Sequence, residues 1–142
     1  MKPPHVPAKN GHWISYTDGA CRGNPGPASG GAHIVSPDGT EHNFKQTFGT
    51  MTNNQAEYLA LIMALKELVK CGAKDAIMRA DSELIIKQIN GLYKVKHPDM
   101  KPLHAQVMNL AKQIPKIRFE HVRREANQVA DALANAALDE DV

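Results

Sequence analysis

The sequence predicts an α/β fold: a five-stranded mixed sheet, three antiparallel strands and then two parallel ones, flanked by helices in the order βββαβααβα. Three observations carry this reading. Strand-like segments recur at hairpin spacing up to Phe48, a long helical pattern opens at Thr52, and two later strand-like segments are each reached through helices. Strands reached that way can lie parallel to the first.

Residues 13–17 (WISYT) alternate, with Trp13, Ser15 and Thr17 on one face and Ile14 and Tyr16 on the other. Residues 30–35 (GGAHIV) form a second strand that the turn signal SPDG stops, and residues 41–48 form the third. Thr52 and Gln55 match a capping box, opening a helix to about Lys70 that is apolar nearly all round at its centre. Cys71-Gly72 ends it. Residues 76–80 (AIMRA) read as a buried strand, followed by a short helix to Gly91. Another helix opens near Pro102 and stops at Pro115. Residues 116–122 (KIRFEHV) alternate as a strand, and residues 125–138 form a last amphipathic helix.

A length of 142 residues suits a single domain, placed at 13–142 behind a loose, proline-bearing tail at 1–12. With 42% hydrophobic and 23% charged residues, the composition excludes a disordered chain, and the net charge of +2 is only mildly basic. The longest apolar run is too short to span a bilayer, and no signal peptide is visible. Cys21 and Cys71 show no metal-ligand spacing, so reduced thiols in a cytoplasmic protein are expected.

The acids follow from the layout. Asp18 is expected at the end of the first strand and Asp81 at the end of the fourth; if those strands are adjacent and parallel, both carboxylates meet at the sheet's carboxyl edge, where ligand sites of open α/β sheets lie. Glu57 and Asp131 sit in the second turns of two helices and can point to the same spot. Four converging carboxylates repel one another unless divalent cations join them, and an all-oxygen set suits Mg²⁺ or Mn²⁺. Two such ions are the usual apparatus for in-line phosphodiester cleavage. Plainer readings stand beside this one: Asp18 as a turn residue, Asp81 as a helix cap, and Asp131 on a solvated face with Asn127, Gln128 and Asn135.

Four segments, YTDGACRGNPGPASGG, TNNQAEYLALIMAL, MRADSELIIKQINGLYKVKHPDMKPL and VRREANQVADALANAAL, resemble in order the signature segments of type 1 ribonuclease H. The resemblance covers nearly the whole chain and is nearest to compact bacterial and archaeal members. It implies a ribonuclease H-like fold and endonucleolytic hydrolysis of the RNA strand of RNA–DNA hybrids, leaving 5′-phosphate and 3′-hydroxyl ends. It implies Asp18, Glu57, Asp81 and Asp131 as ligands of two Mg²⁺ or Mn²⁺ ions. Cys21, Gly23, Asn24, Asn53 and Asn54 would read the minor groove and its 2′-hydroxyls, and Thr52 a phosphate of the DNA strand. The glycines of GNPGP would let backbone approach the RNA.

Two departures from the family stand out. The basic stretch YKVKHPDMK, with Lys94, Lys96, His97 and Lys101, replaces a longer Trp-rich handle, and reads equally as a solvated loop. The mobile histidine that many members carry before the last acid is missing from VRREAN; His121 alternates with Ile117 and Phe119 and reads as structural, and Arg124 is the chosen substitute, with His121 or neither residue as the alternatives. A monomer is expected, acting distributively on the hybrid with neither membrane nor small-molecule cofactor. The alternatives are a non-catalytic nucleic-acid-binding module, or a ribonuclease H-like nuclease acting on another duplex.

Overall fold

A computed structural model describes residues 11–140. The strands are β1 (Trp13–Cys21), β2 (Gly26–Val35), β3 (Glu41–Met51), β4 (Asp75–Ala80) and β5 (Lys116–His121). The helices are α1 (Asn53–Lys70), α2 (Glu83–Ile89), α3 (Lys101–Ala111) and α4 (Gln128–Glu140), with a 3-10 turn at Arg124–Ala126. The sheet runs β3-β2-β1-β4-β5; β1–β2 and β2–β3 are antiparallel, β1–β4 and β4–β5 parallel. Element order and strand directions are those expected. Of the tail expected at 1–12, residues 1–10 lie outside the described residues, while His12 Nδ1 is 2.7 Å from Asp75 Oδ1. No helix among the described residues is long and apolar enough to cross a membrane.

The capping box forms: Thr52 Oγ1 accepts from Gln55 N at 3.2 Å, and Gln55 Oε1 accepts from Thr52 N at 2.9 Å. Tyr58, Leu61, Leu65 and Leu68 of α1 pack with Ile34 and Met78 of the sheet and Val107 of α3, which explains the helix's apolar circumference.

The first hairpin is longer than expected. β1 continues four residues past Thr17, and β2 begins four residues before Gly30, with Cys21 paired to Ala28. Glycine and proline suggested loop there, but in a strand glycine also marks a place where another backbone comes close. A Cβ on Gly19 would lie 2.5 Å from Ala56 C and Glu57 N, and one on Gly31 would lie 2.2 Å from Ala130 O. A Cβ on Gly30 would press on Phe48 and on Ala60 of α1. Neighbouring residues of a strand face opposite sides, so α1 and α4 lie against opposite faces of the sheet. Asp18 therefore stands inside β1, not at its end.

Candidate active site

One carboxylate oxygen each from Asp18, Glu57 and Asp81 lies within 4.8 Å of the others. Three elements that are distant in sequence bring them together. Asp18 is on the central strand, paired with Gly31, and only 6% exposed. Glu57 arrives because Gly19 lets the first turns of α1 touch β1; Gly19 N donates to Glu57 Oε1 at 2.9 Å. Asp81 follows β4, whose last residue Ala80 pairs with Thr17. The cap of α2 is Ser82, whose side chain accepts from Ile85 N, so capping does not account for Asp81. Asp131 comes from α4 on the other face; it stands outside that set of three, near enough to the Asp18 carboxyl to help raise its pKa.

The electrostatics of this cluster are those of an uncompensated charge. Burial, then the Glu57 charge, the hydrogen bond with Asp131 and the Asp81 charge push Asp18 up to about 10. Burial lifts Glu57 to about 7, helped by the Asp81 charge and opposed by the Gly19 N–H. Among the described residues none of the four acids is in an ion pair with a cationic side chain. Close all-oxygen donors, Asp18 buried and Glu57 and Asp81 partly so, fit a hard divalent cation, and no thiol or imidazole joins the set among the described residues.

Both carboxyls have a folded pKa above the unfolded one, so the unfolded chain binds fewer protons over that range. Their contribution to stability is complete below the ordinary carboxylate range and is lost as pH rises through about 7 for Glu57 and about 10 for Asp18. Metal-free protein should therefore melt at progressively lower temperature from pH 5 to pH 9, and Mg²⁺ should raise the melting temperature more at pH 9 than at pH 6. Thermal unfolding in EDTA and in Mg²⁺ checks this; an equal rise at both pH values would contradict it.

An open groove is lined by Asn24, Thr52, Asn53 and Asn54, together with Lys94, Lys96 and His97. Asn24 Oδ1 accepts from Asn53 N at 3.0 Å, joining the first hairpin to the start of α1. Lys101 lines a separate hollow with Tyr93, Lys94 and His104. Cys21 is half-buried, and its thiol lies among the carbonyls of Gly23, Gly26 and Met51, 3.0 Å from Met51 O.

Some expectations need correction, and others gain a structural setting. Gly26 serves the hairpin itself: a Cβ there would lie 2.2 Å from Arg22 O, while Gly23 supplies a φ of +102°. His121 is the last residue of β5, opposite Ala80, and is exposed, whereas Ile117 and Phe119 pack against the core. Arg124 is exposed in the 3-10 turn. Asn127, read as solvent-facing, is 1% exposed. The last helix starts at Gln128 instead of residue 125, and that displaced start hid Asn127 from a helical-face reading.

A mixed sheet whose central strand carries an acid, with more acids delivered by the adjacent parallel strand and by helices on both faces, defines a ribonuclease H-like domain. Residues 16–137 match the Reverse transcriptase-like family. Ribonuclease HI of Halobacterium salinarum is 42% identical over 94% of this chain and 68% of its own. The crystal structure of RNase H1 from that archaeon superposes with a TM-score of 0.88 at 43% identity, covering 92% of this chain and 99% of the other. LC11-RNase H1, solved in complex with an RNA/DNA hybrid, gives a TM-score of 0.85 at 42% identity over 91% of this chain and 98% of its own. A bifunctional protein of Mycobacterium tuberculosis is 46% identical over 89% of this chain, which spans 35% of that relative's length. The chain belongs to the type 1 ribonuclease H family.

Proposed function

We propose that the chain is an endoribonuclease that hydrolyses the RNA strand of RNA–DNA hybrids by two-metal-ion catalysis, leaving 5′-phosphate and 3′-hydroxyl ends. The observation that carries this reading is the Asp18–Glu57–Asp81 cluster, whose charge no cationic side chain compensates among the described residues. Asp18, Glu57, Asp81 and Asp131 would hold Mg²⁺ or Mn²⁺. Bound there, such ions supply an activated water and stabilise a leaving 3′-oxygen.

The chain's own residues select and place the substrate. The groove residues belong to the elements that carry the acids: Asn24 closes the hairpin that contains Asp18, and Asn53 and Asn54 open the helix that contains Glu57. Asn24 uses its amide oxygen on Asn53 N, leaving its NH₂ to donate to a ribose 2′-hydroxyl or a base edge. Asn53 and Asn54 read the same minor groove, with backbone at Cys21 and Gly23. Thr52 holds a phosphate of the DNA strand, and Lys94 and Lys96, which line the same groove, add phosphate contacts. Arg124 steadies a phosphate without shuttling protons. Residues 13–142 act as one unit and one copy, in the cytoplasm, with neither membrane nor small-molecule cofactor. The free thiols of Cys21 and Cys71 support a reducing compartment.

End-labelled RNA–DNA, RNA–RNA and DNA–DNA duplexes, incubated with Mg²⁺, Mn²⁺ or EDTA, test this reading. The expected result is metal-dependent cutting of RNA in the hybrid alone. Binding without cutting under every metal would make the domain a non-catalytic module. Equal cutting of another duplex would refute the selectivity assigned to Asn24, Asn53 and Asn54.

A further inference from the structure

Asn127 lies between the 3-10 turn and α4. Its Nδ2 is 2.8 Å from the Thr17 carbonyl oxygen and 3.3 Å from Asp81 Oδ2. Its own carbonyl accepts from Asp131 N at 3.1 Å. Thr17 and Ala80 are partners across the parallel β1–β4 seam. One NH₂ group thus bridges the carbonyl just before Asp18 and the carboxylate just after Ala80, while the same residue's backbone anchors the turn that bears Asp131. The orientation of the amide follows from chemistry, because a backbone carbonyl only accepts and must face the NH₂.

We infer that Asn127 is a positioning residue that holds the Asp81 carboxylate toward Asp18 and Glu57. The inference rests on reading that cluster as a metal site. Asp81 sits where the chain leaves β4, so the strand ladder no longer restrains it, and its charge is repelled by both neighbouring acids. The planar NH₂ has two donors at a fixed angle; one is committed to β1, and the other then sets where the Asp81 oxygen stands. Held this way, the Asp81 carboxylate would not depend on a cation alone to bring it to its neighbours.

The other half of the amide supports this assignment. Asn127 Oδ1 is buried with no hydrogen-bond partner among the described residues. An unmet buried acceptor is unfavourable, and a residue serving packing alone would be apolar, as the buried Ala130 and Ala134 of α4 are. What the asparagine adds over an apolar side chain is its NH₂. Groups that orient a metal ligand without touching the metal commonly change affinity by about 10–100-fold when removed.

Calorimetric titration with Mn²⁺ of wild type, Asn127→Ala, Asn127→Leu and Asp81→Asn tests the inference, alongside melting temperatures with and without Mn²⁺. Both Asn127 variants should bind Mn²⁺ about 10–100-fold more weakly. Their metal-induced rise in melting temperature should shrink, and hybrid cleavage should recover as Mn²⁺ is raised. Variants that melt lower yet bind Mn²⁺ as wild type does would show a packing role only and overturn the inference. If Asp81→Asn also binds Mn²⁺ like wild type, the metal-site reading fails instead. Should neither Asn127 variant fold, the Asn127 side-chain amide protons of the wild-type protein decide by NMR. They should shift on Mg²⁺ saturation; if they stay still while the backbone amides of Asp18 and Asp81 move, Asn127 does not position the site.

Discussion

Asp81→Asn is expected to lower hybrid cleavage by more than about 100-fold, beyond the range typical of groups that only orient a ligand. The substitution removes one charged oxygen from the Asp18–Glu57–Asp81 set and keeps the side chain's shape. Its remaining carbonyl oxygen still accepts from Asn127 Nδ2, so the local hydrogen bond survives. The same change should raise the melting temperature of metal-free protein, because Asp81 contributes to the repulsion that lifts the protonation of Asp18 and Glu57. Opposite signs for activity and stability are the signature of residues held together for chemistry against their mutual repulsion. Single-turnover cleavage and melting in EDTA measure the two quantities. Cleavage within tenfold of wild type would remove Asp81 from the proposed ligand set.

Gly31→Ala is expected to cost about 3 kcal/mol, at the upper end of overpacking in a tight interior. For a chain of this size that is roughly 10 °C of melting temperature. The added Cβ would lie 2.2 Å from Ala130 O, 2.7 Å from Ala134 N and 2.8 Å from Leu133 Cβ. Two of those atoms belong to helix backbone, so no rotamer change relieves the clash and α4 must move as a body. Asp131 lies on the first turn of that helix and would move with it, so Mg²⁺ affinity should fall along with stability. Gly39→Ala is the informative comparison. Gly39 has a φ of +86° and nothing within 4 Å of its virtual Cβ. It should lose only the roughly 1–2 kcal/mol of left-handed backbone strain and leave metal affinity unchanged. Equal melting and equal Mg²⁺ affinity for both variants would mean that α4 does not rest on Gly31 as described.

Most of the fold was legible because each element carried a local signal. Alternation marked the strands, and Thr52 with Gln55 marked the start of α1 to the residue. The gathering of acids could be anticipated because Asp18 and Asp81 stand at equivalent levels of adjacent parallel strands. What could not be read were contacts between elements far apart in the chain. Nothing local to Gly19 or Gly31 announces a helix against it; Gly31 was expected in a strand without its helix, while Gly19, with Gly23 and Gly26, looked like loop and shortened the expected strands. Asn127 escaped for a related reason: a 3-10 turn shifts it out of phase with the helix that follows, and its partners Thr17 and Asp81 lie 110 and 46 residues away. His121 was placed by alternation alone, which does not say where the ladder ends.

With β1 in the middle of the sheet, the strands left with one open side among the described residues are β3 and β5. An open strand side can template pairing with another molecule, the first step toward stacked aggregates. On β5, Lys116 and Arg118 are exposed, and on β3 Glu41, Asn43 and Lys45 are exposed. A second molecule laid against either side would have to desolvate these groups and set ionic side chains close to its own. The arrangement that shelters the acid-bearing strand thus leaves the sheet's two sticky margins to strands made unattractive for self-association.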